Sequence, residues 1–194
     1  MTRKIKKLLS AIFLFAVIIS ANGCSSGDSK EVTKQENVAI QTKELKSSDG
    51  KIMITVPKDW NDSKEIKSGN ADFSIAVENK DASAYVGVIS EAKTDSIKDV
   101  KLIHMQTAVI QQLKKSMPNL QVSDVKDIKI NGFPAKSFEC SGEMDKLKVK
   151  YEYAIIDCPN SFDQVLGWSD VSTFDKNKDN FTTIINSFKE VSNK

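Results

Sequence analysis

The chain has 194 residues with 28 basic and 26 acidic side chains, a net charge of +2. Four of the basic residues (Arg3, Lys4, Lys6 and Lys7) precede Cys24 and no acidic one does, so from Cys24 onward the balance is slightly negative. Arg3 is the only arginine, and without the bidentate guanidinium or a basic excess the chain is a poor reader of nucleic acid or phosphorylated motifs.

The N-terminus reads as a targeting segment. A basic start is followed by an apolar block at residues 8–19 and the small-residue approach Ser20-Ala21-Asn22-Gly23, the order of parts of a secretory signal peptide. The block is shorter than the roughly 20 apolar residues that a membrane-crossing helix needs. Cys24 at the cut site resembles the bacterial lipoprotein signal. That resemblance implies a diacylglycerol thioether on Cys24, which becomes the first mature residue, with palmitate-type acyl chains. Two chains suffice for stable anchoring where one does not. Ala21 departs from the aliphatic residue, usually Leu, that the lipoprotein pattern has three positions before the cysteine. The alternative is an ordinary secreted protein cut near Ala21 or Gly23, with Cys24 a free thiol. Residues 1–23 are therefore read as leader and 24–41 as a polar, flexible tether. Residues 42–194 make up one domain, large enough to bury a core.

Period-two alternation marks the first strands. Ile52, Ile54 and Val56 alternate with polar neighbours until Pro57, with residues 43–47 as a hairpin partner. Phe73, Ile75 and Val77 follow, then Ala84, Val86 and Val88 with Tyr85 and Ile89 on the other face. The period then lengthens to 3.6. Ser96-Ile97-Lys98-Asp99 resembles a capping box, and Leu102, Ile103, Met105, Val109, Ile110, Leu113 and Met117 gather on one side of a helix that Pro118 ends. Val125, Ile128 and Ile130 lead into Asn131-Gly132, a strong two-residue hairpin signal. The return strand carries Phe138 and Cys140, and Gly142 is placed in the next turn. Leu147, Val149, Tyr151, Tyr153 and Ile155 form a long strand, Phe162, Leu166 and Trp168 another, and Phe181, Ile184, Ile185 and Phe188 the buried stripe of a C-terminal helix. The order β-β-β-β-α-β-β-β-β-α predicts an α+β fold, a central antiparallel sheet with two main helices.

The strand entering Val56-Pro57-Lys58-Asp59-Trp60, the middle helix, the Ile130-Asn131-Gly132-Phe133-Pro134-Ala135 hairpin and the terminal Ile184-Ile185-Asn186-Ser187-Phe188-Lys189 together resemble a PsbP-like domain over residues 42–192. The resemblance implies an α/β/α sandwich. It also implies a role in binding and assembly, since that family includes extrinsic photosystem II subunits, a Ran-binding import factor and bacterial lipoproteins.

Tested for chemistry, the residues offer little. His104 is the only histidine, placed on the solvated side of its helix, away from any nucleophile. Cys140 and Cys158 are expected to be separate buried thiols, because strand rise holds them farther apart than a disulfide allows. Asp175-Lys176-Asn177-Lys178-Asp179-Asn180 imitates the start of a calcium loop but has Asn180 where the EF-hand has Gly and Asn186 where it has Glu. No phosphate loop, dinucleotide fingerprint or nucleophile elbow calls for a cofactor or marks an enzyme. Trp60 and Trp168 are either core plugs or the aromatic anchors of a binding surface.

The resulting expectation is a non-catalytic binding or accessory lipoprotein. It is held on the extracytoplasmic face of the cell membrane by Cys24 and acts through contact with a protein partner. The second reading is a small-ligand-binding lipoprotein of transport or surface sensing, with Trp60, Tyr85, Tyr151 or Trp168 lining a pocket.

Overall fold

The computed structural model describes residues 41–191, apart from 118 and 145. Cys24, the leader and all but the last residue of the tether lie outside them.

The expected sheet is present and its strand pairings are antiparallel. The strands are β1 (Thr42–Lys46), β2 (Ile52–Pro57), β3 (Asn61–Asp62), β4 (Phe73–Asn79), β5 (Ala84–Ala92), β6 (Gln121–Val122), β7 (Lys126–Ile130), β8 (Phe133–Met144), β9 (Leu147–Asp157), β10 (Ser161–Asp170) and β11 (Lys189–Glu190). Among the described residues three helices join them: α1 (Lys64–Gly69), α2 (Leu102–Ser116) and α3 (Val171–Asn186). The eight-stranded sheet runs β3-β4-β5-β10-β9-β8-β6, with β7 also on β8. A separate three-stranded sheet, β1-β2-β11, takes the first hairpin and the last strand.

Alternation along the central strands builds two cores, one on each face of the large sheet. On one face α2 lays Met105, Ala108, Val109 and Leu113 over Phe138, Val149, Tyr151, Tyr153, Leu166 and Trp168. On the other, α3 and the small sheet close over Val86, Val88, Ala154, Ile156 and Val165 with Phe174, Phe181, Ile184, Ile54 and Val56. Covered on both sides, β10 is buried from Ser161 to Ser169. Ser187 fastens the second layer: its hydroxyl accepts from the Thr55 amide at 2.8 Å and donates to the Ile184 carbonyl at 2.6 Å.

Several local expectations change. Asn131 and Gly132 both have positive φ (48° and 87°) and Ile130 pairs with Phe133, the two-residue hairpin that the dipeptide predicts. Gly142, by contrast, pairs with Val149 inside β8, and the hairpin turns only beyond Met144. The Ser96 capping box does not form. α2 begins at Leu102 with Lys101 as its N-cap and no side-chain cap bond. Ile103, assigned to the buried stripe, is 45 % exposed, because at about 100° per residue it lies nearly opposite the side that buries Met105, Val109 and Gln112. The one-turn helix α1 carries no apolar stripe. It is started by Ser63, whose hydroxyl accepts from the Ile66 amide.

Candidate functional site

The residues singled out for chemistry are scattered. His104 is exposed on α2, as its helical position indicates. The calcium-like run 175–180 lies within α3 and is helical throughout. Both indoles leave the surface: Trp60 is 0 % and Trp168 2 % exposed. They are core plugs, and a binding surface built on Trp60 and Trp168 is ruled out by their burial. Trp168 sits in a cross-strand row, in register with Tyr85 on β5 and Tyr151 on β9. The rings stack at 5.6 Å and 6.0 Å between centroids, and Phe73 joins them at 6.1 Å. Trp60 meets Phe181 edge-on at 6.2 Å on the opposite face.

Cys140 and Cys158 are free and buried. Cys140 pairs with Tyr151 and belongs to the core under α2, whereas Cys158 belongs to the core under α3. The sheet itself separates them, a stronger reason than distance along the strand. Burial pushes the Cys140 thiol up to about 12. It raises Cys158 as well, with the neighbouring Asp163 carboxyl adding to the shift. A thiol so held stays protonated and is a poor nucleophile.

The structure does assemble one polar cluster that the sequence did not announce, where β5 ends beside the β9–β10 turn. Glu91, Phe162 and Asp157 form a row across β5, β10 and β9. Lys93 reaches over the Phe162 ring, 4.5 Å from its centroid, to pair with Asp157 and donate to the Cys158 carbonyl at 2.5 Å. On the other face, Asp163 is fully buried beside Cys158. Ser161 Oγ donates to Asp163 Oδ2 at 2.6 Å. Oδ1 has no partner of good hydrogen-bond geometry, although Ser90 and the Cys158 thiol stand beside the carboxyl as weaker donors. Burial raises the Asp163 pKa, against the pull of Ser161, Ser90, Cys158 and Lys93.

The charged pair here is engaged in holding strands. Lys93 is spent on Asp157 and a carbonyl, and the thiol and Asp163 are biased toward their neutral forms. The cluster ties the end of β5 to the β9–β10 hairpin. Among the described residues no three His, Cys, Asp or Glu side chains converge as metal ligands. No helix among them is long and apolar enough to cross a membrane.

Glu91 is the group that titrates. Burial, with the Asp72 carboxylate adding repulsion, lifts its pKa from 4.5 to about 7. The folded state therefore holds a proton that the unfolded chain releases between those values. This contribution to stability is complete below pH 4.5 and is lost as the pH rises through 7. Glu91→Gln, always neutral, is expected to melt above the wild type at pH 8, with the gap closing by pH 4.5. Thermal unfolding of both proteins across that range tests this, and parallel profiles would contradict it.

The signal for this cluster was faint. Asp163 stands between Phe162 and Gln164, off the face that Phe162, Leu166 and Trp168 mark; coverage of β10 on both sides makes it buried.

No protein-family model and no curated protein matches the sequence. Solved structures do resemble it. PsbP (CyanoP) from Synechocystis sp. PCC 6803 is 11 % identical over 82 % of this chain and 99 % of its own, with a TM-score of 0.54. LpqN, involved in cell envelope biogenesis of Mycobacterium tuberculosis, is 16 % identical over 79 % of this chain and 92 % of its own, also at 0.54. A protein of unknown function, PA94 from Pseudomonas aeruginosa, is 9 % identical over 78 % of this chain and 99 % of its own, at 0.52. The fold is PsbP-like, an α+β sandwich about an antiparallel sheet.

Proposed function

We propose that this chain is a membrane-anchored, extracytoplasmic lipoprotein that acts as a non-catalytic accessory protein, through contact with another protein. The observation that carries the reading is its fold, shared with LpqN, a protein of cell envelope biogenesis, and with a PsbP protein. It is joined to a leader that ends at Gly23, directly before Cys24. The same fold on a secreted, lipid-held chain suits an envelope accessory role, although a fold by itself hosts many functions. The buried thiols and the Lys93–Asp157 pair support the non-catalytic part, because each is committed to structure.

The anchor is tested first. Cys24→Ala is expected to move the protein from the membrane fraction to the soluble extracytoplasmic fraction. A processed, mature-length chain that stays with the membrane would refute lipidation at Cys24.

A further inference from the structure

The chain between β5 and β6 is fastened by polar contacts at its two ends and, among the described residues, nowhere between. At the first end the Lys93 amide donates to the Asn160 carbonyl at 2.8 Å, and the Lys93 ammonium pairs with Asp157. At the second, Gln121 and Val122 pair with Ser141 and Cys140 of β8. Across residues 95–120 the hydrogen bonds and the one ion pair all close on the segment itself or on Thr94 beside it. The segment meets the sheet through apolar side chains: Ile97, Met105, Ala108, Val109, Leu113 and Met117.

The opposite layer is held differently. Asp170 caps α3 by accepting from the Ser172 amide at 2.7 Å. Asn177 donates to the Ala82 carbonyl, Thr182 donates to Glu152, Lys178 pairs with Glu139, and Ser187 accepts from the Thr55 amide. Raising α3 breaks these contacts, whereas raising α2 breaks no hydrogen bond or ion pair to the sheet among the described residues. The buried side chains of α3 are also larger, with Phe174, Phe181, Ile184 and Ile185 against Met105, Ala108, Val109 and Leu113 of α2. Smaller side chains remove less apolar surface from water. The start of α2 is weak as well: Lys101 supplies no cap bond and puts a cation where the helix dipole disfavours one. Of the two layers, α2 is the one held less firmly.

We propose that residues 95–120 form a lid: α2 lifts from the intact sheet between the fixed ends at Lys93 and Gln121 and uncovers the aromatic row Tyr85, Trp168 and Tyr151. The row is set by the pairing of β5, β10 and β9 and does not need α2 to hold its register. Phe138 and Tyr153 stack beside it at 5.2 Å, in the same core. Under α3 the strands present Val86, Val88, Ala154, Ile156 and Val165, with no ring among them. The lid therefore closes over the aromatic face of the sheet, whose ring faces suit an apolar or aromatic group. The inference stands on packing, apart from the anchor and the accessory role. Two thiols report on it. Cys140 lies in the core under α2, on the same side of β8 as Gly142, where a Cβ would come 3.2 Å from that of Met117. Cys158 lies in the core under α3 and stays covered when only the lid opens.

Hydrogen exchange read by mass spectrometry, on the full chain purified from its host, tests the lid against α3. A helix of 15 residues taken off its sheet is marginal in water, so the amides of α2 exchange when the lid opens. Without denaturant, those from Met105 to Leu113 are expected to exchange at least about tenfold faster than those from Phe181 to Ile185. Low urea should change the α2 rates little, because a local opening exposes little surface. Cys140 should react with a maleimide ahead of Cys158, the modified residue being located by peptide mapping. Lys101→Ser, which supplies the missing cap, should slow exchange in α2 by about fivefold and leave α3 unchanged. Equal protection of the two helices, or their loss at one urea-dependent rate, would overturn the lid. So would Cys158 reacting with or before Cys140, or a Lys101→Ser effect spread evenly over both helices.

Discussion

Trp168→Ala is expected to lower stability by about 3–5 kcal/mol, the usual cost of removing a large aromatic ring from a closed core. The indole is 2 % exposed and lies between Tyr85 and Tyr151, so its loss leaves a void bounded by rings on neighbouring strands. Those neighbours are fixed by the registers Trp168↔Tyr85 and Trp168↔Tyr151 and cannot collapse without sliding the ladders. For a domain of this size, the melting temperature should fall by roughly 6–20 °C. Trp168→Phe, which keeps a ring in the row, should cost clearly less. Urea titrations of the three proteins give the comparison. A loss below about 0.5 kcal/mol is what a surface position gives, and it would return Trp168 to the list of binding residues.

Gly167→Ala is the second large effect, and it works by overfilling. A Cβ at Gly167 would lie 2.6 Å from Cγ and Cδ1 of Phe181 and 2.8 Å from its Cβ. Phe181 is fully buried in α3. Because its own Cβ is among the colliding atoms, a rotation of the ring does not relieve the contact; α3 itself must lift from β10. Overpacking of this kind costs about 1–3 kcal/mol. Gly87→Ala gives a useful contrast. The three atoms nearest its Cβ would be ring atoms of Phe73, the closest at 2.1 Å, and a side chain can swing where a helix backbone cannot. Gly167→Ala combined with Phe181→Ala should be less destabilised than the two single changes added together. A double-mutant cycle by thermal or urea unfolding measures that coupling, and strict additivity would show that the two positions do not press on each other.

Both glycines looked alike in the sequence, each inside an alternating strand. What distinguishes them is the element across the interface, and no local pattern carries that information. Ile103 is a different case: at about 100° per residue it lies roughly 160° from Met105, so the period itself turns it away from the buried Met105, Val109 and Gln112. α1 leaves no trace in the sequence because its six residues include one buried apolar side chain, Ile66, too few to show a period. The separate β1-β2-β11 sheet was hidden for another reason. It joins residues 42–57 to residues 189–190, a pairing that depends on how α3 returns the chain.

The sequence by itself determined the local matters: the alternating strands, the Asn131-Gly132 turn, the amphipathic faces of α2 and α3, and hence an antiparallel α+β sandwich. It is also the sole source for Cys24, which lies outside the described residues. These follow from side-chain period and turn stereochemistry, which act over a few residues. Only the tertiary structure decided which faces are covered twice. Because α2 closes one side of the large sheet and α3 with the small sheet closes the other, β10 is buried on both faces. That coverage buried Trp168 and Asp163 together, put Cys140 and Cys158 in different cores, and left the basic side of α2 turned outward.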